Sequence, residues 1–125
     1  MSKTNPITLQ SEAIKKLAIS ALEDLKAVNI AVLDVSERAS FTDTMIFASG
    51  NSNRHVSSIA GSVVEAAKAA GMPPLGVEGE DVGEWVLVDL GDAIVHVMLP
   101  ATREFYDLEK LWSEELIDTA DNSSE

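Results

Sequence analysis

The sequence of 125 residues predicts a single α/β domain in which helices pack on a mixed β-sheet. Stretches of helical periodicity alternate with short apolar runs, in the order helix, strand, strand, helix, strand, strand, helix. The chain length suits one domain and is short for two. The central helix is long enough to join parallel strands. Only Gly91 and Asp92 separate the last two strands, which favours an antiparallel hairpin.

The first half of the chain accounts for two helices and two strands. Apolar side chains recur at steps of three and four over residues 9–26, which predicts the first helix. The apolar run 30–33 predicts a strand covered on both faces, and residues 45–48 predict the next strand. The turn Ser49–Ser52 then provides an N-cap for a second helix that ends near Ala70.

The second half predicts a loop, a hairpin and a final helix. Residues 72–84 are rich in glycine and proline, which is typical of a loop. Strands are expected over residues 84–90 and 93–99. Thr102 can cap the last helix, which is expected to run to about Leu116 because its apolar residues fall on one face.

The domain limits follow from where apolar residues end. We expect residues 1–8 to be flexible, residues 9–116 to form the single domain, and the acidic tail, residues 117–125, to be disordered because it has too little apolar surface to bury. The polar N-terminus has no apolar segment of a secretory signal. No apolar run approaches the roughly 18 residues of a membrane span. A cytoplasmic location is therefore the simplest expectation.

Negative charge is concentrated in the second half of the chain. The formal net charge is −12, from 21 acidic and 9 basic residues. Residues 1–70 are neutral, whereas residues 71–125 hold fourteen acids and two bases. Such a chain is not expected to bind nucleic acid through its phosphates or an anionic membrane surface. Four of the six aromatic residues also lie in the acidic half, which suits a basic protein partner; the alternative is an acidic surface that only aids solubility.

The motifs of common enzyme classes are incomplete. Without cysteine the chain has no disulfide, thiol nucleophile or cysteine zinc site, and its two histidines lack metal-site spacing. The turn Ser49–Ser52 is of the kind that nucleotidyltransferases use, but those enzymes also need two carboxylates two residues apart on the following strand. Here Asp107 and Glu109 have that spacing only within a predicted helix, where such positions point apart. We therefore predict no catalytic residue and no metal site.

The predicted hairpin has one aliphatic face and one mixed face. Val86, Val88 and Leu90 share the aliphatic face, which is the better candidate for the core. On the opposite face the alternation places Trp85, Leu87 and Asp89 on one strand, and His96 and Met98 on the next. A surface of this composition predicts a binding face. The alternative is that the N-terminal helix covers it and makes Trp85 a core residue.

Three segments of the second half resemble one known family. Glu84–Asp92, Val95–Val97 and Arg103–Trp112 together closely resemble the ribosomal silencing factor family, also called the Iojap family. The upstream segment Ser49–Val56 agrees, and the resemblance covers about residues 9–112. It implies a fold related to nucleotidyltransferases but without their catalytic groups, and no known cofactor.

The resemblance also implies a function, that of a translation repressor. Family members bind the large ribosomal subunit through the ribosomal protein numbered fourteen, on the face that meets the small subunit. The subunits then cannot join, and translation falls when nutrients are short. Separately, an exposed aromatic face can pair with itself, so the residues themselves allow a homodimer off the ribosome. The alternative function is a nucleotidyltransferase-like enzyme with residual activity on nucleotides.

The predicted contact residues combine the mixed strand face with the last helix. Trp85 and Tyr106 are expected to be aromatic anchors within a rim of acids. The predicted partner-binding set is Trp85, Asp89, His96, Met98, Arg103, Tyr106, Asp107 and Glu109.

Overall fold

A computed structural model describes residues 6–113 of the chain, with side chains from residue 9 onwards. Its elements are α1 (Pro6–Asp24), β1 (Val28–Asp34), β2 (Thr44–Ser49), α2 (Asn53–Ala69), β3 (Gly76–Glu78), β4 (Trp85–Asp89), β5 (Ala93–Met98) and α3 (Pro100–Tyr106). Residues 108–113 are also helical and are called α4 below. The predicted acidic tail, residues 117–125, lies outside the described residues, as does most of the predicted flexible N-terminus.

The five strands form one mixed sheet in the order β1-β2-β5-β4-β3. Strands β2 and β5 are parallel, and the other neighbouring pairs are antiparallel. The α/β class, the mixed sheet and the β4–β5 hairpin are thus confirmed. Helix α2 does join two strands that run parallel, but these are β2 and β3. They are not neighbours in the sheet, because β3 lies at the edge opposite β1. Residues 76–78 were predicted as loop because three residues are too few to show a periodicity.

Helices α1 and α2 lie together on one face of the sheet. Their buried residues pack with Ile46, Val86 and Val95 of the sheet in the larger of two apolar clusters. The alternative in which the N-terminal helix covers the Trp85 face is therefore wrong, because Trp85 packs with a smaller cluster that contains no α1 residue. Helix α1 begins at Pro6, three residues before the predicted start, since proline fits the first helical position. None of the described helices is long and apolar enough to cross a membrane.

Strand β1 was predicted to be covered on both faces, and this is wrong. It lies at the edge of the sheet and pairs only with β2. Val32 is 41% exposed, and Asn29, at a positive φ of 54°, lies where the register with β2 shifts. A continuous apolar run does not distinguish an edge strand from a central one, because strand order depends on contacts distant in sequence.

The predicted single final helix is two helices joined at Asp107. Helix α3 starts at Pro100, with Leu99 rather than Thr102 at its N-cap. Asp107 then takes the left-handed conformation (φ 49°, ψ 48°), which aspartate tolerates better than most residues. The break redirects the chain so that Leu108 and Trp112 of α4 pack on the second face of the sheet.

Candidate partner-binding surface

The second face of the sheet is covered unevenly. Its smaller apolar cluster buries Phe47, Met98 and neighbours from the β1–β2 side, and α4 adds Leu108 and Trp112. On β4 the side chains of that face stay partly exposed, whereas the alternate residues Val86 and Val88 are fully buried. The face therefore keeps open surface along β4. We call Trp85, Leu87, Asp89, Tyr106 and Asp107 the aromatic–acidic face.

Trp85 lies at the centre of an aromatic group. Its ring is partly buried, and its centroid lies 4.9 Å from that of Tyr106, which is 53% exposed. The indole Nε1–H donates a hydrogen bond of 3.1 Å to Nδ1 of His96. The predicted anchors, Trp85 and Tyr106, are thus in contact, and the pair presents aromatic surface to solvent. Their role in binding stays a prediction.

His96 and Met98 lie beneath this surface rather than on it. They are 4% and 1% exposed, so neither offers much area to a partner. The His96 ring stacks on Phe47 with centroids 4.8 Å apart and an angle of 9° between the planes. Burial lowers the pKa of His96 to about 4, so the ring is neutral at pH 7. Any contribution of His96 to binding would act through Trp85.

Arg103 and Glu109 are paired with each other. The guanidinium donates from Nε and Nη2 to the two carboxylate oxygens at 2.7 and 2.9 Å, and from Nη1 to Ser49 Oγ at 3.0 Å. This hydrogen bonding holds the pKa of Glu109 below its usual value. The pair ties α3 to α4 and to the end of β2. Geometry thus gives both residues a positioning role, and direct contact with a partner stays a prediction.

We expect Arg103→Ala to lower the free energy of unfolding by about 1–2 kcal/mol, because it leaves a partly buried carboxylate and Ser49 without their donor. The Arg103 and Glu109 side chains are only 12% and 27% exposed. The matched control is Lys15→Ala, which breaks the more exposed Glu12–Lys15 pair of α1 and should cost less than about 0.5 kcal/mol. Urea unfolding of both variants measures the difference; equal small losses would contradict the positioning role.

The two remaining predicted residues, Asp107 and Asp89, lie at the margins of the aromatic–acidic face. Asp107 is exposed at the α3–α4 break, and Asp89 is partly exposed at the other end of β4, roughly 13 Å from Trp85 by the strand rise. Asp89 also accepts a 2.9 Å hydrogen bond from the Gly91 amide of the hairpin turn. Leu87 lies between Trp85 and Asp89 and was missing from the predicted set, although the alternation of β4 already placed it there.

An acidic loop borders the Trp85 end of β4. Glu80, Asp81 and Glu84 are exposed in it. Gly79 has a φ of 88°, and a Cβ there would collide with the carbonyl oxygen of Trp85, so only glycine allows this approach. Asn53 at the start of α2 donates to the Val82 carbonyl at 2.8 Å. These contacts hold the loop between the start of α2 and the Trp85 end of β4.

The turn Ser49–Ser52 is a helix cap. Ser52 Oγ accepts from the amide of His55 at 3.1 Å, which confirms the predicted capping. The amide of Gly50 donates to the Met98 carbonyl, and that of Asn51 donates to Nδ1 of His55. These donors are engaged within the protein, which disfavours a phosphate site here. Among residues 6–113, no three His, Asp or Glu side chains are grouped to hold a metal ion.

The geometry describes a single α/β domain whose candidate site is an open surface of aromatic and acidic residues. The chain belongs to the family described as ribosomal silencing factor during starvation, whose model matches residues 8–125. This confirms the resemblance seen in the sequence.

Individual relatives agree with the family match. The chain is 52% identical over 104 residues to a Chromobacterium violaceum protein named ribosomal silencing factor RsfS, covering 83% of this chain and 85% of the relative. It is 36% identical to a mouse (Mus musculus) protein named mitochondrial assembly of ribosomal large subunit protein 1, over 78% of this chain and 44% of that one. A crystal structure of a C. violaceum protein superposes with a TM-score of 0.80 at 53% identity, covering 81% of this chain and 84% of that one.

Proposed function

We propose that this protein represses translation by binding the large ribosomal subunit and blocking its joining with the small subunit. The observation that carries the proposal is membership of the ribosomal silencing factor family. The mouse relative's name, which refers to assembly of the large subunit, supports the choice of subunit. We place the activity in the cytoplasm and propose no enzymatic step. The proposed contact on the ribosome is the ribosomal protein numbered fourteen.

The aromatic–acidic face supports this choice of partner. Partly exposed aromatic rings are the groups that most often anchor protein interfaces. Here Trp85 and Tyr106 form a pair of this kind, and the loop that precedes Trp85 carries exposed acids. Acids repel rRNA phosphates and attract a basic protein surface, so acids on this loop favour a ribosomal protein and disfavour the RNA beside it.

Crosslinking tests the proposed contact. We replace Leu87 with a photoreactive amino acid, and make the same replacement at Leu9, which is 58% exposed on α1 against the opposite face of the sheet. Both proteins are sedimented with separated large and small subunits and then irradiated. We expect both to co-sediment with large subunits, and only the protein modified at position 87 to crosslink to ribosomal protein fourteen. Co-sedimentation with small subunits alone, or with neither, would contradict the proposal.

Salt dependence tests the role of the acids. If they steer the encounter, raising the salt concentration should slow association with the large subunit and change dissociation much less. Stopped-flow or surface-based kinetics measure both rates. As a control, the variant carrying Glu80→Gln, Asp81→Asn and Glu84→Gln should associate more slowly at low salt and depend less on salt. An association rate that is indifferent to salt would assign the acids to solubility only.

We also propose that this face pairs weakly with a second copy of the chain when no ribosome is present. The exposed aromatic rings supply the contact, but both copies carry the same acidic loop beside Trp85, and the two loops repel each other. Salt should therefore strengthen the homodimer, whereas it should slow association with the large ribosomal subunit. Analytical ultracentrifugation at low and high salt distinguishes these cases. A dimer that salt weakens, or one unaffected by Tyr106→Ala, would place the contact elsewhere.

A further inference from the structure

The indole of Trp85 donates its hydrogen bond to a buried polar side chain, the imidazole of His96. The indole Nε1 atom, which can only donate a hydrogen bond, lies 3.1 Å from Nδ1 of His96. Nδ1 must therefore be the unprotonated nitrogen, and in the neutral ring the proton is on Nε2. That Nε2–H is buried and has no hydrogen-bond partner among the described residues.

His96 is itself fixed in the sheet. It pairs with Phe47 on β2 and with Leu87 on β4, at the middle of the three central strands. Its ring stacks nearly flat on Phe47 and is 4% exposed, so it has little room to rotate. The acceptor nitrogen is thus presented at a fixed point beneath Trp85.

A histidine at this position is unfavourable for packing alone. The other five residues of β5 are Ala93, Ile94, Val95, Val97 and Met98, all apolar and buried. A buried polar ring with one of its two nitrogens unpartnered costs stability that an aliphatic residue would not. What the imidazole adds is the acceptor for the indole.

We infer that His96 is a positioning residue that fixes the orientation of Trp85, and through it Tyr106, before a partner arrives. Trp85 contacts both His96 and Tyr106, with centroids 6.0 and 4.9 Å away. A preformed aromatic group loses less conformational entropy on binding than a mobile one. The effect on ribosome binding rests on the proposed function, whereas the effect on the indole does not.

The first test needs no variant and no ribosome. Nitrogen-15 NMR of the wild-type protein at pH 7 assigns the proton of the His96 ring. We expect a neutral ring protonated on Nε2, with a coupling or contact between Nδ1 and the indole proton of Trp85. A ring protonated on Nδ1 would overturn the inference, because that nitrogen could not accept.

Two substitutions of His96 then distinguish the loss of its hydrogen-bond acceptor from the change in its side-chain volume. His96→Leu removes the acceptor, and His96→Asn keeps an oxygen close to the position of Nδ1. We expect His96→Leu to increase solvent exchange of the Trp85 indole proton at least about tenfold, and His96→Asn to restore most of the protection. Trp112, the only other tryptophan in the chain, is an internal control in the same spectra. Equal exchange in both variants and the wild type would overturn the inference.

Binding to large subunits completes the test. We expect His96→Leu to weaken binding about tenfold and His96→Asn less than about threefold. In a Trp85→Phe background, which lacks the indole donor, His96→Leu should change binding less than about twofold. An undiminished effect in that background would overturn the inference. If the wild type binds no large subunit, the proposed function fails, and the NMR results still decide whether His96 positions Trp85.

Discussion

Tyr106→Ala is expected to weaken binding to the large ribosomal subunit roughly thirtyfold, the loss typical of an aromatic anchor at the centre of an interface. Its ring is 53% exposed and contacts Trp85 on one side, so truncation removes contact area without opening the core. We therefore expect the free energy of unfolding to fall by less than about 1 kcal/mol. Quantitative co-sedimentation and urea unfolding measure the two quantities separately.

Leu9→Ala is the matched control for this variant. Leu9 is similarly exposed, at 58%, but belongs to α1, which packs on the opposite face of the sheet. It should leave binding unchanged. Trp85→Ala is a poorer probe, since the partly buried indole also packs against the smaller core cluster and its loss should reduce stability. Normal binding by folded Tyr106→Ala would exclude this end of the face as the contact.

Stability should fall by about 3 kcal/mol between pH 6.5 and pH 4 because of His96 alone. Burial lowers the folded-state pKa of His96 from 6.5 to about 4. In the unfolded chain His96 is therefore protonated near pH 6.5, whereas in the folded chain it stays neutral until the pH is near 4. This difference favours unfolding as the pH falls through this window. The contribution is complete above pH 6.5 and is fully lost near pH 4. Urea unfolding at half-unit pH intervals measures the slope.

His96→Leu should flatten this slope, because leucine does not titrate. Glu109 does not produce the same slope. Because its pKa is lowered in the folded protein, its contribution to stability is present above its ordinary pKa of 4.5 and is lost only as the pH falls below that value. The same holds for Asp34, whose pKa is lowered by hydrogen bonds from Ser36. An identical slope in wild type and His96→Leu between pH 5 and 6.5 would show that His96 does not resist protonation.

Local sequence patterns predicted the parts of the fold that depend on short-range order. The alternation of residues 85–89 assigned Val86 and Val88 to the core and left Trp85 and Asp89 on the other face, as observed. The cap at Ser52 was also predictable, because its hydrogen bond spans three residues. The same alternation also placed Leu87 on that face, although the predicted contact set left it out.

Features that depend on distant contacts could not be predicted in this way. The α3–α4 break at Asp107 is stabilised by Arg103, which joins Glu109 to Ser49, a residue 54 positions away in sequence. The burial of His96 likewise depends on Phe47 from a neighbouring strand. A histidine in a strand pattern does not show whether it faces solvent or a stacked ring. The predicted contact set therefore mixed surface residues with residues that support them.

A subunit-joining measurement tests whether the bound protein blocks the joining of the two ribosomal subunits. Large subunits are saturated with the protein, small subunits are added, and the fraction of joined ribosomes is followed by light scattering and on sucrose gradients. We expect joining to fall in proportion to the occupancy of the large subunit. We also expect Tyr106→Ala at the same concentration to leave joining nearly complete. Full joining while the wild-type protein remains bound to the large subunit would contradict it.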